Sequence, residues 1–247
     1  MVNSASRSYR RVATGARFIS FTVTVKETDL FIAIDKEAYY SSLPAEVERL
    51  VWRRRREIEA YIGRHPGFKT AGRPYLLEGP APEPVLAMVR AGNRAGVGPM
   101  AAVAGVLAEL VGNSLLQISP EVIVENGGDI FLKIVEPVKV GIFAGKSPLS
   151  KKVAILVEPG ETPLGVCTSS ATVGPALSLG RADAAVALSS SAALADAAAT
   201  ALANRVQDCT DLEEAIAFAR CLEGLLGAVI ICDDRLAAWG AVELCRP

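Results

Sequence analysis

Hydrophobic and polar residues alternate from Phe18 to Val25 (FISFTVTV), with Ile19, Phe21, Val23 and Val25 on one face and Ser20, Thr22 and Thr24 on the other. A period of two predicts a half-buried strand. A second apolar run, Leu30 to Ile34, follows Lys26-Glu27-Thr28-Asp29, so the pair reads as a β-hairpin. From Pro44 to Ile62 the period becomes helical: Val47, Leu50, Val51, Ile58, Tyr61 and Ile62 share one face, with Pro44 at a favoured helix start. Gly63 to Pro84 breaks this pattern with glycines and prolines and reads as a long irregular connection, suited to a lid or the wall of a site. Helical spacing returns in Val85 to Ala95 and, after Gly96-Val97-Gly98-Pro99, in Met100 to Leu110. Free N–H groups at such a helix start favour an anion, and its Ala and Gly positions let something approach closely.

The second half is richer in strands. Val122 to Glu125 and Asp129 to Val135 flank Asn126-Gly127-Gly128, a tight-turn signal. Val138 to Phe143 and Val153 to Val157 are expected to continue the same sheet, and a helix at Leu212 to Leu222 is followed by apolar strands at Ala228 to Cys232 and Ala241 to Leu244. Short strands interrupted by helices predict an α+β fold with a largely antiparallel sheet and packed helices. With no evident linker, residues 1–247 are assigned to one domain, a hairpin and helix (18–63), the connection (64–84) and a core bearing the site (85–247).

Composition narrows the classes. At 51% hydrophobic but only 6% aromatic residues, the core must be aliphatic. A formal charge of −1 gives no general attraction to nucleic acid or an anionic membrane. The first residues lack a signal-peptide pattern, and no apolar run approaches the roughly 20 residues that span a bilayer. The expectation is a soluble, cytoplasmic protein. Five cysteines without a CxxC pair indicate neither a disulfide framework nor a zinc ribbon, and reduced thiols are expected. Cys167 has no evident base to make it a nucleophile, since His65 is the one histidine and lies in the irregular connection. The run Arg53 to Arg56 can hold phosphate, but Glu46, Glu48, Glu57 and Glu59 around it favour a solvated, paired face, with Arg53 opposite Glu57.

The most distinctive stretch is Gly165 to Val206. It opens on small hydroxyls (Thr168, Ser169, Ser170, Thr172) and ends in an alanine-dense helix carrying Asp196, Thr200 and Asn204 along one stripe. A buried carboxylate needs a partner, and the nearest cation in sequence is Arg205, so a bound cation is one partner for Asp196. The other reading is a carboxylate facing water. Alanine-rich helices can also pack between subunits, so a homo-oligomer stays open.

Several of these stretches resemble the ApbE-like flavin transferases. Asn126-Gly127-Gly128-Asp129-Ile130 resembles their N-G-G-D-I turn, Ala195 to Leu202 (ADAAATAL) their A-D-A-x-A-T-A-L helix, Thr168-Ser169-Ser170 their T-S-G turn, and Gly98-Pro99-Met100-Ala101 the G-x-I-A opening of an earlier helix. The chain is most similar to an uncharacterised cytoplasmic branch marked by GVCTSSATVG, LGRADA and ADAAATALAN. The resemblance implies a tunnelling-fold (T-fold) type of domain and a groove for a flavin dinucleotide. In the family, magnesium helps move FMN from FAD onto a threonine of a target protein. By the same resemblance, Asp196 and Thr200 are catalytic and, with the Ala101 carbonyl, hold Mg2+. The resemblance also implies that Gly98, Met100, Ala101, Asn126, Gly127, Gly128, Asp129, Thr168, Ser169, Ser170 and Thr172 contact the FAD nucleotide.

The chain departs from the family at several points. It has no D-P-x-T-G segment between Ser170 and Asp196, Asp183 being followed by no proline. Ala102 stands where a lysine is expected, Ser170 replaces the T-S-G glycine, and Pro175 stands where closer relatives carry a histidine. Nucleotide binding and group transfer are therefore separate expectations, with a non-catalytic ligand-binding or assembly protein as the alternative.

Overall fold

Alternation along the strands decides how the chain is layered. The computed structural model describes residues 17–170 and 180–247. Strands β1 (Phe18–Val25) and β2 (Thr28–Asp35) form the expected hairpin across Lys26-Glu27. They are followed by β3 (Val122–Asn126), β4 (Asp129–Lys133), β5 (Val138–Gly141), β6 (Ala154–Val157), β7 (Leu164–Ser169), β8 (Ala184–Ser189), β9 (Leu225–Cys232), β10 (Arg235–Gly240) and β11 (Glu243–Cys245). Eight of them make one antiparallel sheet in the order β1-β2-β3-β4-β7-β8-β9-β10. The fold is α+β, as the alternating and helical periods predict.

Both faces of this sheet are covered. Val23, Leu30, Ile32, Val124, Phe131, Cys167 and Ile230 lie in one core under the helices. Their neighbours of opposite parity, including Ile123, Leu132, Val166, Val186 and Val229, lie in a second core with Val138, Ile155 and Val157. The second core is roofed by a three-stranded sheet, β11-β6-β5. Residues 138–143 and 153–157 therefore leave the main sheet rather than extend it, correcting the sequence expectation. Residues 241–244 feed the same small sheet, while the main sheet ends on β10, whose exposed and half-exposed residues carry no clear period.

The helices are α1 (Leu43–Arg64), α2 (Gly67–Thr70), α3 (Glu83–Ala95), α4 (Val103–Leu115), α5 (Ala192–Arg205) and α6 (Leu212–Cys221). Helix α1 buries Val47, Val51, Ile58 and Tyr61. Two of its arginines are paired, with partners other than the expected Arg53–Glu57: Arg54 meets Glu57 and Glu83, and Arg55 meets Glu27 and Glu59. Residues 99–102 form a short 3-10 turn before α4 rather than its first helical turn. Among the described residues no single helix is long and apolar enough to cross a membrane.

Helix α5 is the centre of the helical layer, packed on β7 and β8 beneath and against α3 and α4 at its sides. Eleven of its 14 residues are buried, so its alanines are explained by packing within one chain. Close approach sets the residue size: a Cβ on Gly105 of α4 would lie 2.3 Å from the Ala192 carbonyl oxygen and 2.8 Å from Asp196 Cβ.

The expectation that all thiols are reduced is corrected by a disulfide between Cys209 and Cys232. The two are 23 residues apart in sequence, but the exit of α5 returns to the end of β9 and brings their Cα atoms to 5.4 Å. Cys167, Cys221 and Cys245 are free.

Gly105→Ala is expected to destabilise the fold by about 1–3 kcal/mol through overpacking at the α4–α5 contact. Urea unfolding checks this, and a midpoint equal to wild type would contradict such tight packing.

Candidate functional site

The parity that buries Val124 and Phe131 under the helices also points Asn126 and Asp129 to that side, at the end of the β3–β4 hairpin. These two residues face each other across Gly127-Gly128, whose φ values of 71° and 115° are open to glycine at little cost. On neighbouring β7, Cys167 and Ser169 share the helix-facing side. The Cys167 thiol donates to the Ala192 carbonyl at 3.4 Å, and the Thr168 backbone N–H and the same thiol lie by Asp129, where they favour its charged form.

The helices bring a second carboxylate to this place. Asp196 Oδ2 accepts from the Gly105 N–H at 2.8 Å, and the Ala104 N–H supports the same carboxylate. Both donors belong to the first turn of α4, where backbone N–H groups have no partner within the helix. Asn126 Nδ2 donates to the Ala104 carbonyl at 3.1 Å. One helix start thus holds the N-G-G-D turn and the alanine helix together. The N-terminus of α5 is capped in turn by Glu109 of α4, which accepts from Ser191 Oγ and the Ala193 N–H, each at 3.0 Å.

Burial dominates the electrostatics. It pushes the Asp129 carboxyl up to about 7, with Glu125 adding to the rise and the neighbouring Thr168 N–H and Cys167 thiol opposing it. Asp196 is raised well above the carboxylate range, first by burial and then by Asp129, against the pull of Gly105 and Ala104. The Cys167 thiol is pushed up by burial and by both carboxylates, so it remains a protonated donor and not a nucleophile. Asp129 Oδ1 is buried without a hydrogen-bond partner among the described residues. Among the described residues, the charges that perturb the two aspartates come from carboxylates, Glu125 on Asp129 and Asp129 on Asp196. Asn126, Asp129, Ser169, Ser170 and Asp196 each keep 7–9% of their surface exposed, which places them at the margin of the core.

Other residues singled out in the sequence are distributed around this centre. Gly98 lies beneath the connection, where a Cβ would sit 1.7 Å from the Ala71 carbonyl oxygen. Met100 and Ala101, both half-buried, belong to the 3-10 turn that packs against α5 and runs into α4. Thr200 is half-buried one turn beyond Asp196. Thr168 pairs with Val186 of the opposite core, so its side chain leaves the sheet on the far face and only its N–H reaches Asp129. Thr172 and Pro175 lie outside the described residues. His65 stacks on Tyr61, with ring centroids 4.4 Å apart, and meets Glu78 at 3.2 Å. Tyr75 donates to the same Glu78, and burial and that contact push its hydroxyl up to about 12. These contacts fasten the irregular connection to α1.

Sequence reasoning missed Ala104, Gly105 and Glu109. The first two act through backbone N–H groups, which no residue type announces. Glu109 left a trace as the single acid in MAAVAGVLAEL.

Comparisons with known proteins agree with this architecture. The family model described as AbpE bacteria matches residues 10–237. A UPF0280 protein of Methanocella arvoryzae is 46% identical over 191 residues, covering 77% of this chain and 78% of its own. A UPF0280 protein of Methanosarcina acetivorans is 40% identical over 220 residues, or 88% and 85% of the two chains. Among solved structures, the flavin transferase ApbE from Vibrio cholerae aligns over 93% of this chain and 98% of its own, with a TM-score of 0.65 at 13% identity. The ApbE protein of Thermotoga maritima aligns over 89% and 96%, with a TM-score of 0.56 at 10% identity. The two structural likenesses establish a shared fold, and with the family match and these relatives they show that the chain belongs to the AbpE bacteria family, as an ApbE-like protein alongside the UPF0280 proteins.

Proposed function

We propose that the chain binds the flavin dinucleotide FAD with Mg2+ where the Asn126–Asp129 turn meets Asp196, and acts at the pyrophosphate. The observation that carries this reading is the pair of buried, mutually repelling carboxylates, Asp129 and Asp196, with an orphaned oxygen on Asp129. Two such groups need either protons or a cation. A hard divalent ion suits their oxygens and keeps coordination positions for phosphate. Asp196 and Asp129 would hold it, with the Thr200 hydroxyl and the Ala101 carbonyl as the further donors that the family resemblance adds.

Bound Mg2+ would polarise a pyrophosphate oxygen and shield charge developing there. The protein's own part is positional. The first turn of α4 fixes the Asp196 carboxylate through Gly105, and Asn126 ties the glycine turn to the same helix start. That turn carries no Cβ at Gly127 or Gly128, leaving its backbone open to a ligand. The margin of the core excludes water from one side of the pair. The acceptor is then a threonine hydroxyl of a target protein, giving FMN transfer, or water, giving hydrolysis.

The missing D-P-x-T-G segment and the alanine at position 102 favour a second reading, in which the scaffold binds the nucleotide without moving it. Positioned donors carry most phosphoryl-transfer catalysis, and losing one can cost about a hundredfold or more.

Calorimetric titration with FAD, with and without Mg2+, tests the site. Binding is expected to need Mg2+ and to weaken at least about tenfold in Asp196→Ala, while equal isotherms would remove the metal from the proposal. Mass spectrometry of threonine-containing candidate peptides incubated with FAD and Mg2+ separates the two readings. An added FMN mass marks transfer, release of free FMN marks hydrolysis, and neither, with binding intact, supports the non-catalytic reading.

Stability should report the same pair. Both carboxyls hold protons more tightly in the folded chain than in the unfolded one. Between about pH 4 and pH 7 the folded state therefore binds more protons, and the pair's contribution to stability falls as pH rises. Relative to wild type in chelator, Asp129→Asn should gain stability across that window, and Mg2+ should recover wild-type stability at its upper end. Parallel melting curves for the two proteins at every pH would contradict the buried pair.

A further inference from the structure

We propose that Cys209, Cys232 and Asp233 form a second cation site controlled by oxidation state: closed while the cysteines are bonded, and open to a thiophilic divalent cation such as Zn2+ once a dithiol has reduced them. The ligand atoms of the three side chains lie within 4.8 Å of one another. Cys209 follows α5, Cys232 ends β9, and Asp233 opens the turn into β10. Spacing along the chain conceals this grouping, because no two of the ligands form a motif that sequence alone would pair.

The turn is held from two sides. The Asp233 N–H donates to Asp183 Oδ2 at 2.8 Å, and the Asp233 carbonyl accepts from Ser147 Oγ. The Asp233 carboxylate lies 3.3 Å from Cys209 Sγ. Cys232 is buried, Cys209 half-buried and Asp233 exposed, so the group has a protein side and a solvent side. A groove of about 420 Å³ opens at Cys209, lined also by Thr210, Leu212, Glu213 and Arg235. Water can therefore complete a coordination shell. Local charge favours a cation over an anion: Asp208, Glu213, Asp233 and Asp234 outnumber Arg181 and Arg235, and both arginines already act on Asp208.

The chemistry closes in two steps. A thiolate of the dithiol attacks the more accessible sulfur, Cys209 Sγ. The disulfide breaks and Cys232 leaves with the electron pair. The dithiol's second sulfur then displaces Cys209 and closes its own disulfide, so the reductant is oxidised by two electrons and both protein cysteines are reduced. Zn2+ next displaces the remaining thiol protons and takes two thiolates, the Asp233 carboxylate and a water, a four-coordinate set of its preferred donors. Cys209 lies beyond the end of the helix that carries Asp196, about 14 Å along its axis from that carboxylate to Arg205. Either cross-link fixes the exit of α5 to β9, and the site stands independently of FAD binding.

The test uses the full chain, reduced with dithiothreitol and desalted without oxygen, with Co2+ as the optical probe. Reduced protein should show sulfur-to-cobalt charge-transfer absorption saturating at one ion per chain, displaced by Zn2+, while the oxidised protein shows none. An oxygen-only site elsewhere gives no such band. Asp233→Asn, at an exposed position, should weaken binding about tenfold or more. Cys209→Ser with Cys232→Ser should abolish the band, with circular dichroism checking the fold. Zn2+ should also protect Cys209 from alkylation in the wild-type chain, a readout that needs no variant. Absence of the band in fully reduced wild type, its persistence in the double variant, or equal alkylation with and without Zn2+ would overturn the proposal.

Discussion

The hydrogen bond from the Gly105 N–H to Asp196 governs much of this structure, because it requires two helices to approach more closely than side chains normally permit. That approach explains a glycine on α4 and the run of alanines on α5. It also draws a carboxylate into the core, where desolvation costs more than two backbone donors recover. Asp129 compounds the cost from the facing sheet. The centre of the fold is thus made compact by small residues and electrostatically incomplete by the two acids it encloses, an arrangement that a cation or bound protons would relieve.

Layering determines where that incompleteness falls. Because a second sheet covers the far face of the main sheet, both parities of its central strands are apolar and little room remains for polar side chains. Polar groups gather instead where the β3–β4 hairpin ends and β7 runs out, under the first turn of α4. The same alternation sends the Thr168 side chain away from the aspartates while its backbone N–H stays with them. Residues adjacent in a motif therefore divide between two environments, and a motif match does not assign every one of its side chains to a single ligand.

Features outside this centre have local partners. Arg54 and Arg55 of α1 are paired with acids on α3 and on the hairpin, and His65 belongs to an aromatic cluster that fastens the connection to the helix. The connection reaches the candidate site through α2, which packs on the 3-10 turn, and through Ala71, whose carbonyl lies over Gly98. Its placement supports a wall beside the 3-10 turn and gives no reason to assign His65 to catalysis. At the other end of α5, the cysteine pair and Asp233 make a separate chemical locus with its own charge balance.

Sequence alone determined the elements whose signals are local. The period-two strands Phe18–Val25 and Thr28–Asp35, the amphipathic helix α1, the Gly127-Gly128 turn and the alanine helix α5 all follow from spacing and turn chemistry. The N-G-G-D and A-D-A-x-A-T resemblances also pointed to Asn126, Asp129 and Asp196, which the fold gathers at the start of α4. Only the tertiary structure decided that residues 138–157 form a second sheet, since a strand's period reveals a buried face but not the surface that buries it. It also decided that Gly105 supplies the donor to Asp196, that Glu109 caps α5 and that Cys209 meets Cys232. These contacts join segments 23 to 91 residues apart, and chain closure over such distances is set by how whole layers pack rather than by any local preference.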